Sequence, residues 1–258
     1  MLLIIQLCIG KKLIEGDRIM DSIEDGTAVA TPQVGSSAIG EFIANLRYSP
    51  EEKERFAKII RDFSDLYYEM SVQTWGNTRW RGVPVLKTPT DLWIYQELIE
   101  QIRPDFIIET GTCYGGSALY MRDILNMIFK SGHIMSVDIT HEHLAAKAKV
   151  EGVEYVLGSS VADETIAHVK KYIEDAYARR IIVMLDSDHS KEHVLKELAL
   201  YAPLIPVGGV LIVEDTNAEG PYQAVQEWAP QHPEFRCEFM CEKFMLTFNR
   251  GGYFERVA

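Results

Sequence analysis

Two short stretches of this chain gather carboxylates at the ends of apolar runs. "LDSDHSKEHV", Leu185 to Val194, follows the run Ile181–Met184 with Asp186, Asp188 and His189. "GGVLIVEDT", Gly208 to Thr216, repeats the arrangement, an apolar run and then Glu214 and Asp215. Each run reads as a buried strand, so the acids stand at strand ends. Like charges held close together repel and need compensation. A bound cation is one form of compensation, and oxygen-only donors suit a hard divalent ion, Mg²⁺ foremost, with Ca²⁺ or Mn²⁺ also in keeping.

A third stretch, "FIIETGTCYGGSALYM", ends an apolar strand in Glu109 and turns through Gly111, Gly115 and Gly116 into a helix. Glycines there let a ligand approach the backbone, and a helix N-terminus favours negative charge. The spacing is GxxxGG, not the GxGxxG of dinucleotide sites. The next strand, "IMSVD", ends in Asp138, placed either to hold a ribose diol or to cap a turn. The one after it ends "LGSS", where Ser159 and Ser160 meet a base edge or simply turn the chain.

The elements that must position these groups follow a regular alternation. Strands at Phe106–Ile108, Ile134–Val137, Tyr155–Leu157, Ile181–Leu185 and Val210–Val213 are each followed by a helical pattern: from about Gly116, Glu142–Lys149, Asp163–Tyr177, Lys191–Tyr201 and Tyr222–Trp228. Strands alternating with amphipathic helices predict an α/β fold, a mostly parallel sheet with helices on both faces. The stretch "FRCEFMCEKFMLTFNRGG" reads as two strands joined tightly around Glu242 and Lys243, with one strand of the sheet reversed near this edge. Upstream, "SPEEKERFAKIIRDFSDLYYEM" reads as a helix with Ser49, Pro50 and Glu52 at its start and Phe56, Ile59, Ile60, Phe63 and Leu66 on a packed face. Trp75 to Pro84 reads as loop, and Asp91 to Ile102 as helix ending before Pro104. Trp75, Trp80 and Trp93 either form a stacking wall or dock the N-terminal segment. The division expected is an N-terminal arm and helical cap over residues 1–83 and the α/β domain over 84–258.

The 258 residues carry a net charge of −12, which disfavours nucleic acid and anionic membrane as partners. Cys8, Cys113, Cys237 and Cys241 show no CxxC or disulfide spacing, so a reducing, cytoplasmic setting is expected. The apolar start "MLLIIQLCIG" is too short to span a bilayer and lacks the flanks of a signal peptide. It reads as a tail packed on the body or on another subunit, and a homo-oligomer is expected.

"IIETGTCYGGSALYM" with "SVD", "LGSS", "LDSDH" and "VEDT" resembles a class I S-adenosylmethionine-dependent methyltransferase, with the metal-dependent core of catechol-type O-methyltransferases. "RWRGVPVLKTPTDLWIYQELIEQIRPDFIIETGTCYGGSAL" is similar, more narrowly, to the cephalosporin hydroxylase and rhamnosyl O-methyltransferase family, over roughly Trp75 to Thr216. Despite the first half of that name, the resemblance implies a Rossmann-like methyltransferase. His141 and His143 in "THEHLA" read as solvated loop or helix-start residues, with no oxygenase-type ligand set.

The resemblance implies that Glu109, Gly111, Thr112, Gly115, Ser117, Asp138 and Ser160 bind the cofactor, with Asp186 beside it. It implies that Asp186, Glu214 and Asp215 ligate the metal. His189 falls where relatives of the caffeoyl type carry lysine, which makes it a candidate base; the alternative is a helix cap or a group orienting Asp188. Lys87 and Thr88 are placed near the cofactor carboxylate by resemblance. The function implied is divalent-metal-dependent O-methylation of a small molecule, such as a sugar hydroxyl of a glycolipid, polysaccharide or glycosylated natural product. The alternatives are a nicotinamide-dependent oxidoreductase, which the glycine loop with Asp138 also fits, and a cofactor-binding accessory protein without turnover.

Overall fold

Alternate residues of each apolar run face opposite sides of one sheet, and this sorts the core into two layers. The computed structural model describes residues 48–129 and 131–258, all within a unit that spans residues 32–258. The apolar start, Cys8 and the stretch 16–38 lie outside the described residues, and so do the expectations placed on them. The strands are β3 (Phe106–Thr110), β4 (His133–Asp138), β5 (Val153–Leu157), β6 (Ile181–Leu185), β7 (Val210–Val213), β8 (Phe235–Cys237) and β9 (Tyr253–Arg256). Their order is β5-β4-β3-β6-β7-β9-β8, parallel except for β9, which runs antiparallel to both neighbours. Phe106, Ile108, Val183, Leu185, Leu211 and Val213 face α4 (Asp163–Asp175), α5 (Lys191–Tyr201) and α6 (Glu219–Trp228). Ile107, Ile134, Ile182, Met184 and Ile212 face α2 (Pro89–Ile102) and α3 (Gly116–Ile128). The expected sheet, with its single reversed strand near the C-terminal edge, is the one observed. Among the described residues no helix is long and apolar enough to cross a membrane.

Helix α1 (Pro50–Glu69) starts on the expected capping box: Glu52 N donates to Ser49 Oγ at 3.2 Å, and Ser49 N to Glu52 Oε2 at 3.0 Å. Its apolar face is not packed as expected. Ile59, Phe63 and Leu66 are each about half exposed, and only Ile60 is buried, with Phe56 and Ala57 against it. The helix contacts the body through its last turn, where Tyr67 and Tyr68 meet Phe248. The stretch read as loop contains a hairpin, β1 (Arg79–Trp80) with β2 (Val83–Pro84). Arg81 and Gly82 both take positive φ, as a tight primed turn requires.

Two further expectations fail. Glu142–Lys149 forms no α-helix, only a turn and a 3-10 segment at Ala146–Ala148. Ala145 N is drawn to Tyr114 O at 3.1 Å, and Leu144 and Ala148 pack beside Gly115, so this stretch serves as backing for the glycine loop. The C-terminal pair is not a tight hairpin. Phe248 N donates to buried Asp91 at 3.1 Å and Asn249 Nδ2 to Tyr95 Oη at 2.8 Å, which pulls the connection down onto α2 before β9 begins.

Candidate active site

The sheet changes direction of winding between β3 and β6, and ligands in such folds bind beyond the strand ends at that point. Thr110 pairs with Leu185 and Leu185 with Val213, so Gly111, Asp186 and Glu214 emerge side by side. Gly111 has φ +86, and a Cβ on it would lie 1.8 Å from the Asp186 carbonyl oxygen. Only glycine lets the two strand exits come this close. A cavity of about 640 Å³ opens above them. Across it the walls follow the sheet order: Ser159 and Ser160 after β5, Asp138 at the end of β4, Gly111 after β3, Asp186 to His189 after β6, and Asp215 after β7. Three wall residues, Leu86, Cys113 and Asp215, hold positive φ without being glycine, a concentration of backbone strain often associated with function.

The acids divide into an outer and an inner group. Asp186, His189 and Asp215 each offer a donor atom, and these atoms lie within 4.8 Å of one another. His189 Nε2 is 3.4 Å from Asp186 Oδ1 and 3.5 Å from Asp215 Oδ2. The hydrogen bond to Asp186 raises the imidazole pKa, against the effect of burial. Burial and the neighbouring Asp186 push Asp215 to about 6. Glu214 turns the other way, into the protein. It is 3% exposed, accepts a hydrogen bond from Tyr95 Oη, and lies 3.2 Å from Lys87 Nζ. Burial raises it to about 8, with Asp186 adding to the effect against the pull of Lys87.

The resemblance places Lys87 only near the cofactor carboxylate. It is 5% exposed, and its ammonium stands 2.8 Å from Asp186 Oδ2 as well as beside Glu214. Burial alone would lower its pKa, but Asp186, Glu214 and Asp215 together carry it well above the ordinary lysine value. Beneath it, Tyr95, Asn249, Tyr253 and Asp91 continue a buried hydrogen-bonded chain. None of these partners has a local sequence signal, because they come from α2, the C-terminal connection and β9.

The expected cofactor residues separate into those on the cavity wall and those behind it. Gly111, Asp138, Ser160 and Asp186 line the cavity. Asp138 closes the glycine loop: its Oδ2 accepts from Thr112 N at 2.9 Å and Cys113 N at 3.0 Å, and its Oδ1 from Thr140 N at 3.1 Å. A carboxylate has about four acceptor positions, so one remains for a ligand. Glu109 is fully buried, bonded by Ser117 Oγ and, at 2.6 Å, by Ser136 Oγ, which in turn meets Thr112 Oγ1 at 2.7 Å. Glu109, Thr112 and Ser117 thus support the loop from below, and Gly115 (φ +74) turns it into α3. Ser160 Oγ meets His193 Nε2 at 3.1 Å, and exposed Ile139 adds an apolar surface beside Asp138. This end fits a nucleoside: a diol acceptor, an apolar face and polar groups at the base edge.

The tryptophans have separate fates. Trp75 lines the cavity with Tyr68 and Phe248. Trp80 packs edge-on against Tyr120 and donates to Asp123 at 2.8 Å, joining the hairpin to α3. Trp93 is exposed and bonds Glu97 on its own helix at 3.0 Å.

The sequence model of the family described as rhamnosyl O-methyltransferase/CmcI matches residues 72–257. The rhamnosyl O-methyltransferase of Mycobacterium bovis is 33% identical over 205 residues, which cover 76% of this chain and 81% of the relative. That of Mycobacterium leprae is 30% identical over 226 residues, 83% of this chain and 95% of the relative. Among solved structures, CmcI with Mg and SAM superimposes with a TM-score of 0.57 at 20% identity, over 71% of this chain and 78% of the other. CmcI with SAH gives 0.56 at 18% identity, over 71% and 84%. At such identity the structural likeness speaks for the fold alone.

Proposed function

The chain belongs to the rhamnosyl O-methyltransferase/CmcI family, and from that premise we propose that it transfers a methyl group from S-adenosylmethionine to a sugar hydroxyl, assisted by a divalent cation. The observation that carries the site assignment is the convergence of Asp186, His189 and Asp215 at the switch point, next to the glycine loop.

The donor set fits a hard cation. Asp186 and Asp215 supply two carboxylate oxygens on the cavity wall, within 4.8 Å of each other. Glu214 joins them only where Lys87 gives up its carboxylate. When bound, S-adenosylmethionine supplies an electrophilic sulfonium methyl, and the cation orients the acceptor and lowers the pKa of its hydroxyl. Asp138 holds the ribose through its remaining acceptor position, Ser160 meets the adenine edge, and Gly111 permits the close backbone approach. His189 would accept the hydroxyl proton as the acceptor oxygen bonds to the methyl carbon and the methyl–sulfur bond breaks. For that it must be neutral, and a cation on Asp186 and Asp215 would offset the hydrogen bond and charges that raise its pKa. Most of the acceleration then comes from alignment of acceptor and methyl group.

The glycine loop with Asp138 leaves a nicotinamide cofactor open on sequence grounds, but family membership favours the methyl donor. The test is transfer of labelled methyl from S-adenosylmethionine to a panel of glycosides and catechols, with and without EDTA. Label on glycosides, lost with EDTA and restored by Mg²⁺, is the expected outcome. A panel that takes up no label, or a protein that binds NAD⁺ and not S-adenosylhomocysteine by calorimetry, overturns the proposal.

A further inference from the structure

The cofactor groups occupy one side of the cavity, from Ser160 to Gly111, and the acids its middle. The far side, beyond Asp215, is aromatic and carries none of the residues assigned above to the cofactor or the cation. Tyr68 and Trp75 are stacked there, with ring centres 5.7 Å apart and planes 19° from parallel. Phe248 meets both edge-on, at 5.5 Å and 5.8 Å. Phe248 is buried, whereas Tyr68 is nearly half exposed. We infer that Tyr68 and Trp75, braced by Phe248, form a platform on which the acceptor's pyranose ring lies, so that its hydroxyl edge meets Asp215, Asp186 and His189. The inference rests on the sugar O-methyltransferase reading above.

Three features support a platform built for a ligand. The first is rigidity. Trp75 Nε1 donates to Tyr68 O at 3.0 Å, and Thr74 Oγ1 donates to Tyr67 O at 2.6 Å. Gly76 fits its turn only because it has no Cβ, which would come within 2.6 Å of Ser71 O. The loop carrying Trp75 is thus tied back to the end of α1 by two hydrogen bonds and held in a turn that only glycine fits. The second is attachment to the reacting groups. Phe248 O accepts from Asn217 N at 3.0 Å, Asp215 N donates to Asn249 Oδ1 at 3.0 Å, and Phe248 N donates to Asp91 Oδ2 at 3.1 Å. The platform and Asp215 therefore keep a fixed spacing. The third is chemistry. A pyranose presents C–H groups on one face and hydroxyls at its rim. The C–H face suits the negative face of an aromatic ring, and the rim suits carboxylates and a cation. A planar catechol would also stack here, but a 6-deoxy sugar adds a methyl group, for which Leu86 and Ala218 on the same walls provide apolar surface.

The test uses the full chain, Mg²⁺ and methyl rhamnopyranoside as acceptor, with S-adenosylhomocysteine affinity measured in parallel. Tyr68→Ala and Trp75→Ala should each raise the acceptor KM about tenfold or more, the scale of one lost aromatic contact. The effect should fall more on KM than on kcat and leave S-adenosylhomocysteine affinity at the parent value. Trp75→Phe should recover part of the loss. If Trp75→Ala does not fold, Tyr68→Ala, at a half-exposed position, decides alone. A parent enzyme that methylates glycosides, with Tyr68→Ala at the parent KM, overturns the platform and leaves the sugar reading intact. A parent enzyme that methylates no glycoside overturns the sugar reading, and the platform falls with it.

Discussion

Lys87 places one ammonium between two carboxylates from different strand ends, 2.8 Å from Asp186 Oδ2 and 3.2 Å from Glu214 Oε2. It is an internal cation on the inner side of the acid cluster. It satisfies the two oxygens that face the core and leaves Asp186 Oδ1 and Asp215 for the cavity side.

Lys87→Met follows from this arrangement. Removing one partner of a buried ion cluster leaves charge uncompensated and costs roughly 3–5 kcal/mol. Without a divalent ion, the variant should unfold at clearly lower urea than the parent. It should also bind Mn²⁺ more tightly, because Glu214 becomes available as a third oxygen donor. Titration of Mn²⁺ by electron paramagnetic resonance reads this directly. Unchanged or weaker Mn²⁺ binding would show that Lys87 does not compete for the cluster.

Gly111→Ala tests the close approach of the chain where it leaves β3 and β6. The substitution meets a left-handed φ and a backbone oxygen 1.8 Å from the new Cβ. Gly208 supplies the control, since it has a similar φ of +83 with nothing within 4 Å. Gly208→Ala should cost about 1–2 kcal/mol, the conformational part alone. Gly111→Ala should cost at least about 3 kcal/mol, in the range where overpacking and strain combine. Urea unfolding of the two variants compares them, and equal losses would mean that the strand exits separate without penalty.

The strands and the outer acids were legible because their signals are local. Lys191–Tyr201 and Val210–Val213 appear with the boundaries read from periodicity, and Asp186 and Asp215 stand where the strand ends put them. What escaped depended on distant partners. Nothing in "VEDT" says that Glu214 turns inward, because its reasons are Tyr95 and Lys87 on the far side of the chain order. The turn at Glu142 to Lys149 has helical composition, yet the glycine loop needs its backbone. Helix α1 shows an apolar period that implies packing, but Ile59, Phe63 and Leu66 are half exposed, while Tyr67 and Tyr68 meet Phe248. Trp75 was distinguishable from Trp80 and Trp93 only once the cavity was visible.

Glu109 makes stability depend on pH. Burial pushes its carboxyl from 4.5 to about 7, against the bonds from Ser117 and Ser136. A folded-state pKa raised above the unfolded value means that the native state binds the extra proton. The stabilisation is complete below pH 4.5 and is lost as pH rises through about 7. Between pH 5.5 and 8 this group should cost the parent about 2 kcal/mol. Glu109→Gln cannot titrate and should lose correspondingly less over that interval. A residual slope should persist, since Glu214 at about 8 and Glu242 at about 7 shift in the same direction. Urea midpoints at the two pH values decide; identical slopes in parent and variant would mean that Glu109 is ionised in its pocket.

The final pair of substitutions separates metal binding from proton transfer. Asp186→Ala removes a carboxylate on the cavity side and the hydrogen-bond partner of His189. Turnover that responds to Mg²⁺ should disappear, while S-adenosylhomocysteine should still bind, because Asp138 and Ser160 stand at the ends of other strands. His189→Ala should lower the rate by roughly 10²- to 10⁴-fold, the usual span for loss of a general base. The same variant addresses the second role that the geometry allows, since His189 Nε2 lies close enough to Asp186 and Asp215 to share a cation with them. If His189 is the base, Mn²⁺ affinity stays at the parent value while the rate falls. If Mn²⁺ affinity falls with the rate, His189 is a ligand and the base lies elsewhere. Parent-level turnover by His189→Ala at pH 7 would reduce the imidazole to a cap on α5, and EDTA-sensitive turnover by Asp186→Ala would move the metal away from this cluster altogether.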